Sequence, residues 1–107
     1  MARISIKAIS INEAYRGRRF ATTALKDYKQ ALFLLLPKKT LKHGKLSVVY
    51  EFGVSSKGSD GDNLIKAFQD CIAEAYGFND NKIYEWHVKK VDVPKGSEYI
   101  DFDIKAF

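Results

Sequence analysis

Leu46-Ser47-Val48-Val49-Tyr50-Glu51-Phe52-Gly53-Val54 is the stretch from which the fold can be read. Leu46, Val48, Tyr50, Phe52 and Val54 alternate with Ser47, Val49, Glu51 and Gly53, and a period of two puts the sets on opposite sides of a strand. Small polar residues from Ser55 to Ser59 break that pattern and read as a loop. A helical period follows: Leu64, Ile65, Phe68, Cys71, Ile72 and Ala75 gather on one flank. Asp62, Asn63, Lys66, Asp70 and Glu74 gather on the other. The spacing predicts a helix from about Asp62 to Ala75, with Gly77 as its C-terminal cap.

Working outward, Ile4, Ile6 and Ala8 alternate with Arg3, Ser5 and Lys7, which predicts a strand over Ala2 to Ile9 with one wet face. Thr22 or Thr23 caps a helix running to about Leu36, where Pro37 blocks continuation. Its inward residues are Leu25, Tyr28, Leu32 and Leu35, and Lys26 and Lys29 face water. Downstream, Tyr84, Trp86 and Val88 alternate with Glu85, His87 and Lys89 as a third strand, with Tyr84 and Trp86 expected in the core. Pro94 and Gly96 mark a turn, after which Ile100, Phe102, Ile104 and Ala106 alternate with Asp101, Asp103 and Lys105. The order β-α-β-α-β-β implies an α+β fold: one domain over residues 1–107, a mixed β-sheet with two main helices packed on one face. Periodicity leaves the strand order open.

A chain of 107 residues with 46% hydrophobic and 29% charged content has enough apolar matter for one core. No apolar run approaches the roughly 18 residues of a spanning helix. The first residues lack the pattern of a secretory signal, and Cys71, the single cysteine, excludes an internal disulfide or a multi-thiolate zinc site. A soluble, cytoplasmic protein without membrane association is expected. Charge is unevenly distributed: residues 1–45 carry 11 Lys and Arg against 2 Asp and Glu, a balance of +9, and residues 46–107 carry 7 against 11, a balance of −4. A basic half joined to an acidic half points to a polyanion held by one region and carboxylates put to another use elsewhere.

Those carboxylates concentrate in Ser59-Asp60-Gly61-Asp62-Asn63-Leu64-Ile65-Lys66-Ala67-Phe68-Gln69-Asp70. Asp62, Lys66 and Asp70 follow one another at i, i+4 and i+8 along one line of the helix. A charged outer face of alternating sign is also what most amphipathic helices show, and Asp70 and Glu74 fit that plain role. Asp60 and Asp62 flank Gly61 at the helix start, where free N–H groups favour ionised carboxylates and where one of them can serve as N-cap. If the chain returns beside the start of its own helix, Asp80 in the turn Asn79-Asp80-Asn81 meets them. Carboxylates ~4 Å apart repel by about 4 kcal/mol at an effective dielectric near 20. A proton or cation must offset that, and all-oxygen ligands select Mg²⁺ or Mn²⁺ over zinc. An EF-hand is excluded because Leu64 and Ile65 stand where a ligand and a glycine are needed. Lys66 is placed to neutralise charge on a phosphate or to pair with Asp62 or Asp70. His43 and His87 have no partner at zinc-ligand spacing.

Asp60-x-Asp62-Asn63-x-x-Lys66-x-x-x-Asp70 followed by Asn79-Asp80-x-x-Ile83 resembles the signature of the RusA family of Holliday junction resolvases. Ile11 to Phe20, with Arg16, Arg18 and Arg19, is similar to that family's N-terminal basic loop. The likeness covers most of the chain. It implies a small homodimeric, Mg²⁺-dependent endonuclease acting on branched DNA, often phage-borne and then working in the bacterial cytoplasm. By resemblance Asp60, Asp62 and Asp80 bind metal and take part in catalysis with Lys66, while Asn63 and Asp70 support the site. Asn79 departs from the family, which commonly pairs two aspartates there. Arg16, Arg18, Arg19, Lys26 and Lys29 are suited to tracking DNA phosphates without reading bases. Two other expectations stand beside this one: a nuclease acting on flaps or forks, and a non-catalytic DNA-binding module of the same fold.

Overall fold

A computed structural model describes residues 1–9, 15–16, 20–41, 44–56 and 61–107, with backbone alone at 15, 16, 20, 21, 61 and 62. The elements run β1 (Ala2–Ile4), a two-stranded ladder of β2 (Tyr15–Arg16) and β3 (Phe20–Ala21), α1 (Thr23–Leu35), β4 (Leu46–Val54), α2 (Gly61–Tyr76), a 3-10 turn (Asp80–Lys82), β5 (Ile83–Asp92) and β6 (Tyr99–Ala106). The order of the main elements is the one that periodicity predicts. The four-stranded sheet has the order β1-β6-β4-β5. β4 lies antiparallel to β6 and parallel to β5, so the sheet is mixed.

Local chemistry sets the helix ends. Thr22 caps α1, its Oγ1 accepting from the Leu25 N–H at 3.2 Å, which satisfies one of the N–H groups a helix start leaves without partners. At the other end Leu36 N–H donates to the Leu32 carbonyl at 2.8 Å and Pro37 follows. α2 closes at Gly77, whose φ of 71° few other residues adopt without strain. The Phe78 N–H then donates to the Ala73 carbonyl at 3.0 Å, a Schellman closure that turns the chain back.

The core lies between the helices and one face of the sheet. Val48, Tyr50 and Phe52 of β4, Phe68 and Ile72 of α2, Leu32 of α1, and Ile100 and Phe102 of β6 are buried together. Phe68 stands edge-on to Tyr50 and Phe52, with ring centroids 5.3 and 6.0 Å apart, and such pairs add to what area burial alone contributes. The opposite face has no helix over it among the described residues. Its side chains pair across the strands: Arg3 holds Asp101 through two bonds of 2.7 and 2.9 Å, Tyr99 donates to Glu51 at 2.7 Å, and the Ser47 hydroxyl donates to Glu85 at 2.8 Å.

Four expectations are corrected. β1 stops at Ile4 rather than Ile9, although Ala8 is still buried. Leu35 is exposed, and Leu36, four residues beyond buried Leu32, packs against the core in its place. Ala75 is likewise exposed, and Ala67 takes a buried place on that helix. Tyr84 and Trp86 are not core residues, being 55% and 47% exposed. β5 is the edge strand, and a register irregularity between Leu46 and Ser47 lies opposite Tyr84. Tyr84 therefore rests against Phe107 and under the Lys45 ammonium instead of entering the core.

Candidate active site

The middle of α2 and the turn that follows it form the candidate site. The Schellman closure at Gly77 brings the chain back along the helix, and the Asn79 side chain caps the 3-10 turn by accepting from the Asn81 N–H at 3.1 Å. Burial of Ile83 then anchors the start of β5. Together these hold Asp80 against the outer flank of α2. Lys66 Nζ lies 2.9 Å from Asp70 Oδ1, one turn along the helix, and 3.9 Å from Asp80 Oδ2. Lys66 is thus flanked by two carboxylates, one local and one delivered by the turn. All three side chains remain open to water, at 50% for Lys66, 33% for Asp70 and 45% for Asp80. At such exposure ion pairs contribute no more than about 1 kcal/mol each, so the cluster adds little to stability.

Asp60 lies outside the described residues, and of Asp62 only the backbone is described, in the first turn of α2 one turn before Lys66. Asn63 is partly buried in that turn. Among the described residues no three His, Cys, Asp or Glu side chains form a group able to hold a metal ion. Two of the three expected ligands are outside that set. Asp80 contributes what a hard cation takes, a solvent-facing carboxylate with oxygen donors.

Beside the cluster runs an open groove of about 640 Å³ between α1 and α2, lined by Lys29, Asp70, Glu74, Asn79 and Asp80 among others. Lys29 crosses from α1 to bind Glu74 of α2 at 2.6 Å, a pairing that helical periodicity on either helix alone does not reveal. Lys26 is exposed on the outer side of α1. Arg16 is described as backbone in β2, and Arg18 and Arg19 lie outside the described residues. Cys71 also borders the groove, but its burial pushes the thiol up to about 11, so it is no nucleophile at neutral pH.

One polar network escaped the sequence reading. Gln69, buried on α2, accepts through a single Oε1 from the Tyr50 hydroxyl at 3.1 Å and from the Trp86 indole N–H at 2.9 Å. It ties the helix that carries Lys66 and Asp70 to β4 and β5. The signal available was a lone amide between Phe68 and Asp70, on the boundary of the apolar flank.

In comparisons with known proteins, no family model and no curated protein matches the chain.

Proposed function

We propose that this protein is a Mg²⁺-dependent, structure-specific DNA endonuclease that resolves four-way junctions by paired nicking, working as a homodimer in the cytoplasm. The observation that carries the reading is the meeting of Lys66 with Asp80, 14 positions apart in sequence, on the helix that also bears Asp62. A lysine between two solvent-open carboxylates suits a site that handles a phosphodiester. The resemblance of the Asp60, Asp62, Lys66, Asp70 and Asp80 pattern to the RusA signature supports the same chemistry.

Asp60, Asp62 and Asp80 would hold the metal, Mg²⁺ or Mn²⁺, which when bound activates water and stabilises charge on the phosphate. Lys66 Nζ, oriented by Asp70, is available to the phosphate as negative charge grows on it. Asn79 acts on Asp80 through the cap that fixes the turn. The basic residues Arg16, Arg18, Arg19, Lys26 and Lys29 hold the DNA backbone.

The test is incubation of the protein with a synthetic four-way junction and Mg²⁺. Symmetric nicks are expected from wild type, with at least a hundredfold loss in Asp62→Asn and Asp80→Asn. No nicking by wild type, or undiminished nicking by either variant, rejects the reading. Faster cutting of flaps or forks moves the substrate to those structures, and salt-sensitive binding without cleavage in any divalent metal leaves a DNA-binding module.

A further inference from the structure

β5 ends the sheet, and among the described residues no other strand pairs with its outer edge. From Tyr84 to Lys90 every residue is exposed. An open edge of this length is a template for another strand. Trp86 and Val88, 47% and 40% exposed, lie on the helix-bearing face beside their register partners Val48 and Tyr50. Glu85, His87 and Lys89 face the other way, opposite Ser47, Val49 and Glu51.

The order of charges on this edge selects its occupant. Residues directly opposed in antiparallel strands point to the same face, so two copies related by a two-fold axis must centre on one residue that faces its own counterpart. Centring on His87 puts Glu85 opposite Lys89 twice and Trp86 opposite Val88 twice. Centring on Trp86 puts Glu85 opposite His87 and Tyr84 opposite Val88 but sets Ile83 against Lys89, and centring on Val88 puts His87 against Lys89 and leaves Glu85 against Val91. Only the His87 register sets Glu85 against a lysine while also pairing apolar residues with each other. The Ser47 hydroxyl and the neighbouring His87 hold the Glu85 carboxyl below the usual range, so it meets Lys89 as an anion.

We infer that β5 pairs antiparallel with β5 of a second copy of this chain, centred on His87, to make one sheet continuous across a two-fold dimer. The inference builds on the resolvase reading, which requires two sites. It adds a consequence: an axis normal to the sheet leaves both α2 helices on the same face. The two Lys66–Asp80 clusters then open towards the same side, where one branched DNA can reach both.

The experiment needs neither DNA nor metal. Sedimentation equilibrium of the wild-type chain at tens of micromolar is expected to give twice the 12.2 kDa chain mass. Glu85→Lys and Lys89→Glu should each weaken the dimer at least tenfold, and the double exchange Glu85→Lys with Lys89→Glu should recover it to within about threefold. Independently, facing Cα atoms about 4.5–5.5 Å apart suit a disulfide. With Cys71 buried, oxidised His87→Cys should form a covalent dimer while Trp86→Cys and Val88→Cys do not. A wild-type monomer, a dimer indifferent to both charge reversals, or cross-linking at 86 or 88 in preference to 87 overturns the inference. A dimer of the expected kind that nicks no DNA sinks the nuclease reading and leaves this one standing, and a nicking monomer does the reverse.

Discussion

Lys66 shows how one side chain can have both a local and a tertiary partner. Its bond to Asp70 follows from helix spacing alone, whereas its approach to Asp80 needs the turn at Gly77. For the nuclease proposed here, Lys66→Ala is expected to lower kcat by about 10²-fold while changing junction affinity by less than about threefold, since a charge aimed at the transition state acts on the chemical step. Equal losses in single-turnover cleavage and in binding would make it an ordinary phosphate contact. Cys71 makes a separate prediction about pH. Its thiol ionises near 9.0 when exposed and only at about 11 in the fold, so the unfolded chain loses that proton first as pH rises. Stability is full below pH 9 and falls through the window up to about 11, by an amount on the order of 2–3 kcal/mol. Chemical denaturation at a series of pH values should show this decline, and Cys71→Ala should flatten it. The remaining alkaline slope belongs to the tyrosines whose phenols are also held up, Tyr28, Tyr50 and Tyr76 by burial and Tyr99 by its bond to Glu51.

Among the elements, β4 joins the two faces of the protein. Its inward residues form the aromatic core, and its outward residues meet the polar ladder of β5 and β6. Gly53 sits where those roles conflict: it faces Tyr99 in register, and a Cβ there would run into the Tyr99 ring. Tyr99 is held by its bond to Glu51 and by the Arg3 guanidinium 3.9 Å above the ring, so it moves only by giving up both. Gly53→Ala should therefore destabilise the fold by about 1–2 kcal/mol, read as a lower denaturation midpoint with an unchanged slope. In the Tyr99→Ala background the same substitution should cost little. The main elements were legible in the sequence because their causes are local, whereas the short β2–β3 ladder falls where a basic loop was expected. The extent of β4 is the predicted one, Thr22 caps as its hydroxyl suggests, and Gly77 ends α2. In the candidate site the pairing of Lys66 with Asp70 was legible from helix spacing, but the return of Asp80 to Lys66 was conditional on a turn geometry that spacing does not fix. β5 was misread for a similar reason: alternation is the same on an edge strand as on a central one, and only strand order decides how much of Tyr84 and Trp86 water reaches.

For the whole molecule, the uneven charge of the sequence is partly reconciled by folding. Arg3, Lys29 and Lys39 of the basic half meet Asp101, Glu74 and Asp103 of the acidic half. Part of the +9 balance is thus spent inside the monomer, and the polyanion proposed to bind sees a smaller field than the linear count implies. No helix among the described residues is long and apolar enough to cross a membrane. One face of the sheet is covered by helices and one edge stays open at β5. The proposed dimer closes that edge and makes two single-site chains into one two-site particle.

The sequence by itself determined the α+β class, the order of the main elements, the caps at Thr22 and Gly77 and the acidic line on α2. Each of these depends on periods and side-chain chemistry acting within a few residues. Tertiary structure alone decided that β5 lies at the edge, that Gln69 links α2 to two strands, that Lys29 is held by Glu74, and that Asp80 arrives beside Lys66. Those facts join residues far apart along the chain, and only packing around the Tyr50, Phe52, Phe68 and Phe102 core sets the distances between them.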